Sequence, residues 1–214
     1  MQVSWYSFVF FFPALALAQY EYSPSVMPGE PSISAPEKLE FHFVKVFSPL
    51  SLLEDTAESA ADQFQNFPKE WGQGWHGLWR REANNVGYDT TRNTFLLAAD
   101  SMAGQDPRYF RSGEGAFVSR TGHALGQTFV GHTDSKKPVV PWVRFAATFG
   151  AAFMTDAWYP NRIAHARDAL VRGASTIGSD AGNNFIYEFW PDVKKKLFHR
   201  RGQTADAGAV APTS

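Results

Sequence analysis

Apolar residues recur every three or four positions along most of this 214-residue chain, and this spacing limits the possible folds more than any other feature does. Positions with this spacing share one face of an α-helix, whereas a half-buried β-strand alternates apolar and polar residues. No segment alternates between apolar and polar residues over more than a few positions. The sequence therefore predicts an all-α protein, folded as a compact helical bundle whose helix contacts are lined by glycine and alanine.

Prolines indicate where several of these helices begin and end. Pro49 suits the start of a helix, because the N–H that proline lacks has no intrahelical partner there. Pro160 ends the most apolar helical segment, since proline disfavours a continuing helix. The predicted helices are residues 50–67, 69–81, 91–102, 119–131 and 142–159, with 161–189 forming one long helix or two.

Pairs of small residues four positions apart predict where helix backbones approach closely. Small side chains at this spacing form a groove against which a second helix packs. We expect Gly178 and Gly182 to face another helix, so that leucine at either position costs about 1–3 kcal/mol through overpacking. The other pairs are Gly122 with Gly126, Ala146 with Gly150, Ala147 with Ala151, and Ala174 with Gly178.

The amino-terminal segment is typical of a secretory signal peptide. Residues 1–18 carry no charged side chain, and an apolar run ends in the cleavage pattern Ala16-Leu17-Ala18 before Gln19. The run is too short to cross a hydrocarbon core of about 30 Å. No lysine or arginine precedes it, which departs from the usual signal, and a buried or anchoring helix is the alternative. We expect an exported protein, periplasmic or outer-membrane-associated, that begins near Gln19.

Composition divides the rest of the chain into three parts. Four prolines, with serine and glycine between them, indicate that residues 19–48 are a linker or extended arm. Residues 49–201 contain the predicted helices and form the folded domain. Residues 202–214 are mainly small, which is typical of a disordered tail.

Charge and cysteine content exclude several classes of site. Lysine and arginine number 20 against 21 aspartates and glutamates, whereas a dedicated nucleic-acid-binding domain is usually strongly basic. Cysteine is absent, which excludes disulfides, thiolate metal sites, iron–sulfur clusters and cysteine nucleophiles. The six histidines include no pair four residues apart, the spacing typical of a helical zinc site. We therefore predict no cofactor, no metal ion and no nucleic-acid partner.

Three tryptophans, Trp71, Trp75 and Trp79, follow one another at four-residue spacing, which places them on one face of a helix. Such a stripe suits a membrane interface, where an indole ring meets both apolar and polar surroundings. It also suits stacking on an aromatic or sugar ligand. The remaining interpretation is burial in the core, because tryptophan is highly buried on average.

The densest polar cluster surrounds the turn-rich loop at residues 106–115. Arg108, Arg111 and Arg120 lie within thirteen residues of one another, and His123 follows closely. Guanidinium groups bind planar anions through paired hydrogen bonds. One interpretation is therefore a site that clamps a phosphate or a carboxylate.

A structural role explains the same arginines. Their charges repel one another unless carboxylates lie among them, and the nearest candidates are Asp100, Asp106 and Glu114. We expect at least one arginine to be buried and paired with a carboxylate, which holds the loop to the bundle. A hydrolytic site that combines this cluster with His132 is a further interpretation.

Five fixed positive charges lie within eight residues near the carboxyl terminus, beside Trp190 and other apolar side chains. Basic and aromatic residues together suit an anionic membrane surface, where each basic side chain contributes about 1 kcal/mol. Cations at the end of a helix also interact favourably with the helix macrodipole, so the charges have a second explanation. The five residues are Lys194, Lys195, Lys196, Arg200 and Arg201.

Five short motifs follow one another along the chain: Glu-Trp-Gly-Gln-Gly at 70–74, Gln-Asp-Pro-Arg-Tyr-Phe-Arg-Ser-Gly at 105–113, Ser-Arg-Thr-Gly-His-Ala at 119–124, Ala-Trp-Tyr-Pro at 157–160 and Glu-Phe-Trp-Pro-Asp at 188–192. In this order they resemble a family of exported, glycine-rich helical proteins of acidobacteria. The resemblance covers roughly residues 68–198. It implies a signal peptide and a helical domain outside the cytoplasm. It implies no activity and no functional residues, because that family has no established function.

These observations lead to three functional hypotheses. The first is an exported, envelope-associated protein with a structural or membrane-docking role, no identifiable catalytic site, and an anionic membrane surface or lipid as its partner. The second is a small-molecule- or lipid-binding module, with its ligand between glycine-lined helices beside the tryptophan stripe. The third, an enzyme, is a hydrolase that uses the arginine–histidine cluster. A filled core with the arginines paired to acids favours the first hypothesis, and a closed apolar cavity favours the second. A cleft in which His123 and His132 converge on open space favours the third.

Overall fold

The computed structural model describes residues 25–27 and 30–207, with side chains as far as residue 196, and it is mainly helical. The predicted all-α class and helical bundle are thereby confirmed. The predicted signal peptide and the cleavage site before Gln19 lie outside the described residues. The α-helices of the described part are α1 (Ala35–Phe47), α2 (Pro49–Gln65), α3 (Gly74–Ala103), α4 (Phe117–Gly126), α5 (Trp142–Met154) and α6 (Ala166–Ala207).

Helix α1 lies within residues 19–48, for which the sequence predicts a linker or extended arm, and over Ala35–Phe47 that prediction is wrong. The helix has a defined start, because the backbone N–H of Ser34 donates to the Glu37 carboxylate at 2.6 Å. Its inward positions mix polar with apolar side chains, so apolar spacing alone does not reveal the helix. The buried residues are Lys38, Phe41, His42 and Val46.

Helix α3 is the central helix and packs against α1, α2 and α5. The sequence predicts two separate helices here, at 69–81 and 91–102, because the residues between them are mainly polar. Those polar side chains are directed at neighbouring segments. Asn84, for example, is buried and donates to the hydroxyl of Tyr159 at 2.9 Å. The helix is therefore continuous, with a polar middle that is satisfied by its neighbours.

Helix α6 is one helix of 42 residues, and it continues through Pro191, which the sequence places at the start of a separate basic end. Proline inside a helix removes one backbone hydrogen bond. The helix packs against both α4 and α5, contacts that the local sequence does not reveal. It also includes residues 202–207, so the prediction of a disordered tail at 202–214 is wrong over those six residues, and 208–214 lie outside the described residues.

Short strands connect the helices. They are β1 (Ser25–Val26), β2 (Gln105–Asp106), β3 (Tyr109–Phe110), β4 (Gly131–Thr133) and β5 (Pro138–Val139). Helix α3 ends at Gly104, whose φ of +59° is the left-handed conformation that glycine adopts readily, and β2 follows at once. Strand β2 pairs antiparallel with β4, β4 with β5, and β1 pairs parallel with β3. The sequence predicts loops here, since two or three residues are too few for alternation to show.

Small residues line several helix contacts, as the sequence predicts. A Cβ added at Gly173 would overlap the ring of Phe149, so α5 and α6 approach closely there. Ala147 and Ala151, one of the predicted pairs on α5, are both buried. At these positions the small side chain is what allows the neighbouring helix to pack.

The prediction that Gly178 and Gly182 face another helix is wrong. A Cβ added at either position would have nothing within 4 Å, and both residues are exposed. The same is true of Gly122 and Gly126 on α4. Four-residue spacing shows that two residues share a face, but it does not show which face meets a neighbour. On α6 the inward face carries polar residues instead, with Glu188 fully buried.

The bundle has a polar interior and many apolar residues on its exterior. Arg81, Asp100, Asp106 and Glu188 are each at most 1% exposed, although charged side chains are rarely buried to this extent. Tryptophan, phenylalanine and leucine side chains are prominent among the exposed residues. In the part of the chain that the structure describes, no helix combines the length and the apolar character needed to cross a membrane.

Candidate functional site

A cavity of about 530 Å³ lies between helices α1, α3, α5 and α6. Its volume is within the range of small-molecule sites, which is about 300–1,000 Å³. Its wall combines aromatic rings with ionisable side chains from segments far apart in sequence. The aromatic residues include Phe41, Tyr109, Phe145 and Tyr187.

One wall of the cavity is a single face of α3. Asp89, Asn93, Leu96 and Asp100 line the cavity, and their spacing of four, three and four residues places them in one row along the helix. At 1.5 Å per residue the row is about 16 Å long. The cavity wall therefore has a carboxylate at each end of this row.

At one end of the row, Asp100 is 1% exposed, and its Oδ2 lies 3.3 Å from Nε2 of His42. Asn93 orients the imidazole, since its Oδ1 lies 3.1 Å from Nδ1 of His42 while its amide donates to the carbonyl of Asp89 at 3.0 Å. Neither carboxylate oxygen of Asp100 accepts a hydrogen bond from any described residue. Burying such a group is costly, so Asp100 is suited to accept a hydrogen bond from a ligand.

At the other end of the row, carboxylates and cations satisfy one another. Arg92 pairs with Asp180 at 2.5 Å and donates to the hydroxyl of Thr148 at 3.1 Å. Burial raises the pKa of Asp89, and the charges of Arg92 and Lys45 oppose that rise. This end contains the ion pair of Arg92 with Asp180, whereas Asp89 forms no ion pair with the residues that the structure describes.

Arg144 lines the cavity and forms no side-chain hydrogen bond or ion pair with the residues that the structure describes. His132 lines it too, with its ring centroid 4.1 Å from that of Phe110. Burial lowers the pKa of His132, with Arg144 adding to the effect and Asp106 opposing it, so His132 is mainly neutral at pH 7. Arg144 is thus a cation available to an anionic group of a ligand.

The predicted arginines lie close together, but Arg120 binds a carboxylate of the protein itself and Arg111 forms no ion pair with the described residues. Arg120 Nε donates to Oε1 of Glu188 at 2.8 Å, and Arg111 donates to the Glu188 carbonyl at 3.2 Å. Glu188 is fully buried and also accepts from the hydroxyl of Tyr109 at 2.9 Å. Burial raises the pKa of Glu188, but hydrogen bonds from Arg120 and Tyr109 outweigh that effect, so the pKa lies below its usual value. The Arg120 guanidinium is therefore already bound to a carboxylate of the protein.

Arg108 pairs with Asp106, as the structural interpretation predicts. Two donors of the guanidinium reach the carboxylate, at 2.7 and 3.0 Å, and Asp106 is 1% exposed. The expected buried pair of an arginine with a carboxylate is confirmed both here and at Arg120. Glu114 forms no ion pair with any residue in the described ranges, and Asp100 faces a histidine instead of an arginine.

His123 and His132 do not converge on one open space. The Nε2 atom of His123 lies 2.8 Å from the carbonyl oxygen of Phe110, and His123 does not line the cavity. The hydrolytic interpretation of this pair therefore lacks its geometric basis. Within the described residues, no group of three histidine or acidic side chains is placed to hold a metal ion.

The tryptophans do not form the predicted stripe. Trp71 lies in a short 3₁₀ helix before α3, with its ring centroid 5.4 Å from that of Tyr159. Trp75 and Trp79 lie on α3 but are 75% and 65% exposed, so burial in the core is the wrong interpretation for them. None of the three lines the cavity.

At the basic end of α6, Lys194, Lys195 and Lys196 are exposed. Arg200 and Arg201 continue the same helix, with side chains outside the described part. These residues lie apart from the cavity lining.

Sequence reasoning missed the main cavity residues, His42, Asn93, Asp100 and Arg144. A signal for the α3 residues was present, because Asp89, Asn93 and Asp100 recur at helical spacing just as core residues do. The periodicity of apolar residues alone does not reveal this row, because three of its four members are polar. No local signal connects α3 to His42 or Arg144, since only the packing of α1 and α5 on α3 brings them together.

Asp55 on α2 lies beside the acids of the cavity, and its pKa is raised from 3.8 to about 7 by burial and by the carboxylates of Asp89 and Glu82. A folded-state pKa above the unfolded value means that stability is lost as the pH rises from about 4 through about 7. We expect Asp55→Asn to be more stable than wild type by roughly 1–3 kcal/mol at pH 8, and nearly equal to it at pH 4. Urea unfolding at both pH values measures this.

The control for this prediction is Glu40→Gln, which changes an exposed acid on α1. It is expected to leave the pH dependence of unfolding unchanged. Parallel stability curves for Asp55→Asn and wild type between pH 4 and 8 would show that Asp55 ionises normally.

Comparison of this chain with protein-family models, with curated proteins and with solved structures gave no match.

Proposed function

We propose that this protein binds a small polar molecule in its cavity, and that Asp100 accepts a hydrogen bond from an ammonium group of that molecule. One observation carries the proposal: a carboxylate that is 1% exposed lines a cavity of ligand size and accepts no hydrogen bond from the described residues. A ligand donor at Asp100 supplies a hydrogen bond to a buried carboxylate whose contact with Nε2 of His42, at 3.3 Å, does not supply one.

Arg144 adds a second requirement for the ligand. Its guanidinium borders the same cavity without a carboxylate partner in the described part of the chain. An anionic group on the ligand supplies that partner through charge-assisted hydrogen bonds. A small zwitterion matches both residues, because its ammonium group binds Asp100 and its carboxylate binds Arg144.

Among the three hypotheses from the sequence, the binding module has the strongest support, although with a different ligand. The cavity is lined by charged and aromatic side chains, and Gly131 is the one glycine in its lining. A lipid ligand requires a mainly apolar wall, because unpaired charges lose their hydration against hydrocarbon. The wall combines apolar with ionisable side chains, and the ionisable ones favour a ligand that carries polar groups.

Binding is favoured over hydrolysis because His42, the histidine beside Asp100, is not arranged as a general base. Both ring nitrogens of His42 face protein groups, Asn93 on one side and Asp100 on the other. A base in a hydrolytic site needs a free nitrogen within reach of the proton that it accepts. Export and association with the cell envelope remain predictions from the sequence.

Thermal unfolding in the presence of primary amines, carboxylates and amino acids tests the proposal. We expect amino acids to raise the melting temperature more than either class alone, since a ligand at 100 times its Kd stabilises by about 2.7 kcal/mol. Asp100→Asn is expected to raise the Kd for amines at least about tenfold. Arg144→Met is expected to raise the Kd for carboxylates by at least the same factor. Asp62→Asn, outside the cavity on α2, is the matched control.

The proposal is wrong if no compound of the panel changes the melting temperature. It is equally wrong if Asp100→Asn and Asp62→Asn respond to amines as wild type does.

A further inference from the structure

The outward face of helix α6 carries no charge over a long distance. Within the described range 170–193, every exposed residue is apolar, glycine or serine. Large side chains are among them, with Val171 57% and Trp190 56% exposed. The exposed residues are Leu170, Val171, Ala174, Ser175, Gly178, Ser179, Gly182, Ile186, Trp190 and Val193.

The charged residues of the same stretch are paired within the protein, although the side chain of Asp192 is 44% exposed. Arg172 pairs with Asp156 and Asp180 pairs with Arg92. Glu188 and Asp192 both pair with Arg120. A surface helix of a water-soluble protein normally has the opposite arrangement, with its charges on the outer face. The outward face of α6 is therefore suited to surroundings less polar than water.

A second apolar element borders this face. Phe117 at the start of α4 is 63% exposed, and its ring lies 5.0 Å from that of Phe189 and 6.2 Å from that of Phe185. Val118, next to it, is 80% exposed. The apolar surface thus extends sideways from α6 onto α4.

The basic residues lie at the carboxyl-terminal end of the same face. Ile186, Trp190 and Lys194 are four residues apart, which places them in one row along the helix. Lys195 and Lys196 follow and are also exposed. Indole rings favour the boundary between lipid headgroups and acyl chains, and lysines beside them favour anionic headgroups.

We infer that the outward face of α6, from Leu170 to Lys196, docks on an anionic lipid surface, with its apolar side chains at the acyl boundary and its lysines among the headgroups. This inference does not depend on the ligand proposed for the cavity. A second copy of the chain is the competing occupant, because small residues also suit contacts between helices. Between 170 and 193 the acid with the most exposed side chain is Asp192, and it already pairs with Arg120 at 2.6 Å. Few acids are thus offered to the lysines of such a copy, so charge complementarity favours lipid.

Cosedimentation of the full chain with phosphatidylcholine vesicles, with and without phosphatidylglycerol, tests the inference. We expect binding to the vesicles that contain phosphatidylglycerol, and weaker binding in 500 mM NaCl because salt screens the lysines. Changing Lys194, Lys195 and Lys196 together to glutamine is expected to weaken binding by about a hundredfold, at about tenfold or less for each lysine.

The apolar part of the face is tested by Trp190→Glu, with Trp75→Glu as the matched control because Trp75 is exposed on α3. Trp190→Glu is expected to reduce vesicle binding at least tenfold, whereas Trp75→Glu leaves it unchanged. All of these positions are exposed, and thermal unfolding verifies that each variant folds. Equal binding by Trp190→Glu and Trp75→Glu overturns the inference. Absence of binding to phosphatidylglycerol vesicles, together with self-association that Trp190→Glu abolishes, overturns it in favour of a second copy.

Discussion

Arg120→Ala lowers the free energy of unfolding by about 3–5 kcal/mol, because it leaves the buried carboxylate of Glu188 without its cation. Glu188 is fully buried, and Arg120 reaches its side chain at 2.8 Å and its carbonyl at 2.7 Å. The same guanidinium also donates to Asp192 at 2.6 Å. Urea unfolding of the variant and of wild type measures the loss.

Arg162→Ala is the control for this prediction. Arg162 pairs with Glu70 at 2.6 Å, but both side chains are largely open to solvent. An exposed pair contributes only about 0–1 kcal/mol, so this variant is expected to unfold nearly as wild type does. A loss at Arg120 no larger than the loss at Arg162 would show that Glu188 does not need its partner.

The pH dependence of unfolding gives an independent test of the same pair. The pKa of Glu188 lies below its usual value despite burial, because Arg120, Tyr109 and two backbone N–H groups donate to the carboxylate. A depressed folded-state pKa contributes stability at neutral pH that is lost as the pH falls through that pKa. Arg120→Ala is therefore expected to lose less of its stability than wild type does between pH 7 and acid pH.

Arg81→Ala is expected to lower the free energy of unfolding by about 3 kcal/mol or more. Arg81 is fully buried and donates to the backbone carbonyls of Phe67, Gly72 and Pro68, at 2.6, 2.9 and 3.1 Å. These carbonyls belong to the turn between α2 and α3. Each buried acceptor that loses its donor costs about 1–3 kcal/mol.

Arg80→Ala provides the matched control, because Arg80 is the adjacent residue on α3 and is exposed. Its removal is expected to change the free energy of unfolding by less than about 0.5 kcal/mol. Arg81→Lys keeps the charge but replaces the planar fork by a single ammonium group, so it is expected to restore only part of the loss. Similar stabilities for Arg80→Ala and Arg81→Ala would contradict a role for Arg81 in holding the turn.

The partners of the predicted arginines show how far sequence reasoning extends into this site. Asp106 is two residues from Arg108 and was among the predicted partners, and that pair forms. Glu188 is 68 residues from Arg120 and was not among them. Charge repulsion within a short loop predicts that acids must lie nearby, but it does not identify an acid supplied by another helix.

The cavity shows the same limit. Its lining comes from α1, the first residues of α2, α3, α5 and α6, and from the loops between them. Each helix apart from α1 is at least partly predicted by local spacing. His42 on α1 approaches Asp100 on α3 because the two helices pack together. The residue spacing within either helix alone does not predict that packing.

What the sequence by itself determined is the helical class and the approximate extent of most helices, because α-helix formation depends on residues three and four positions apart. The tertiary structure alone decided which face of each helix is buried. Gly178 and Gly182 share a face as the spacing predicts, yet that face is exposed and the charged face of α6 is inside. The physical reason is that a buried ion such as Glu188 is tolerated only when a partner on another helix pairs with it. That partner becomes a neighbour only when the helices pack together.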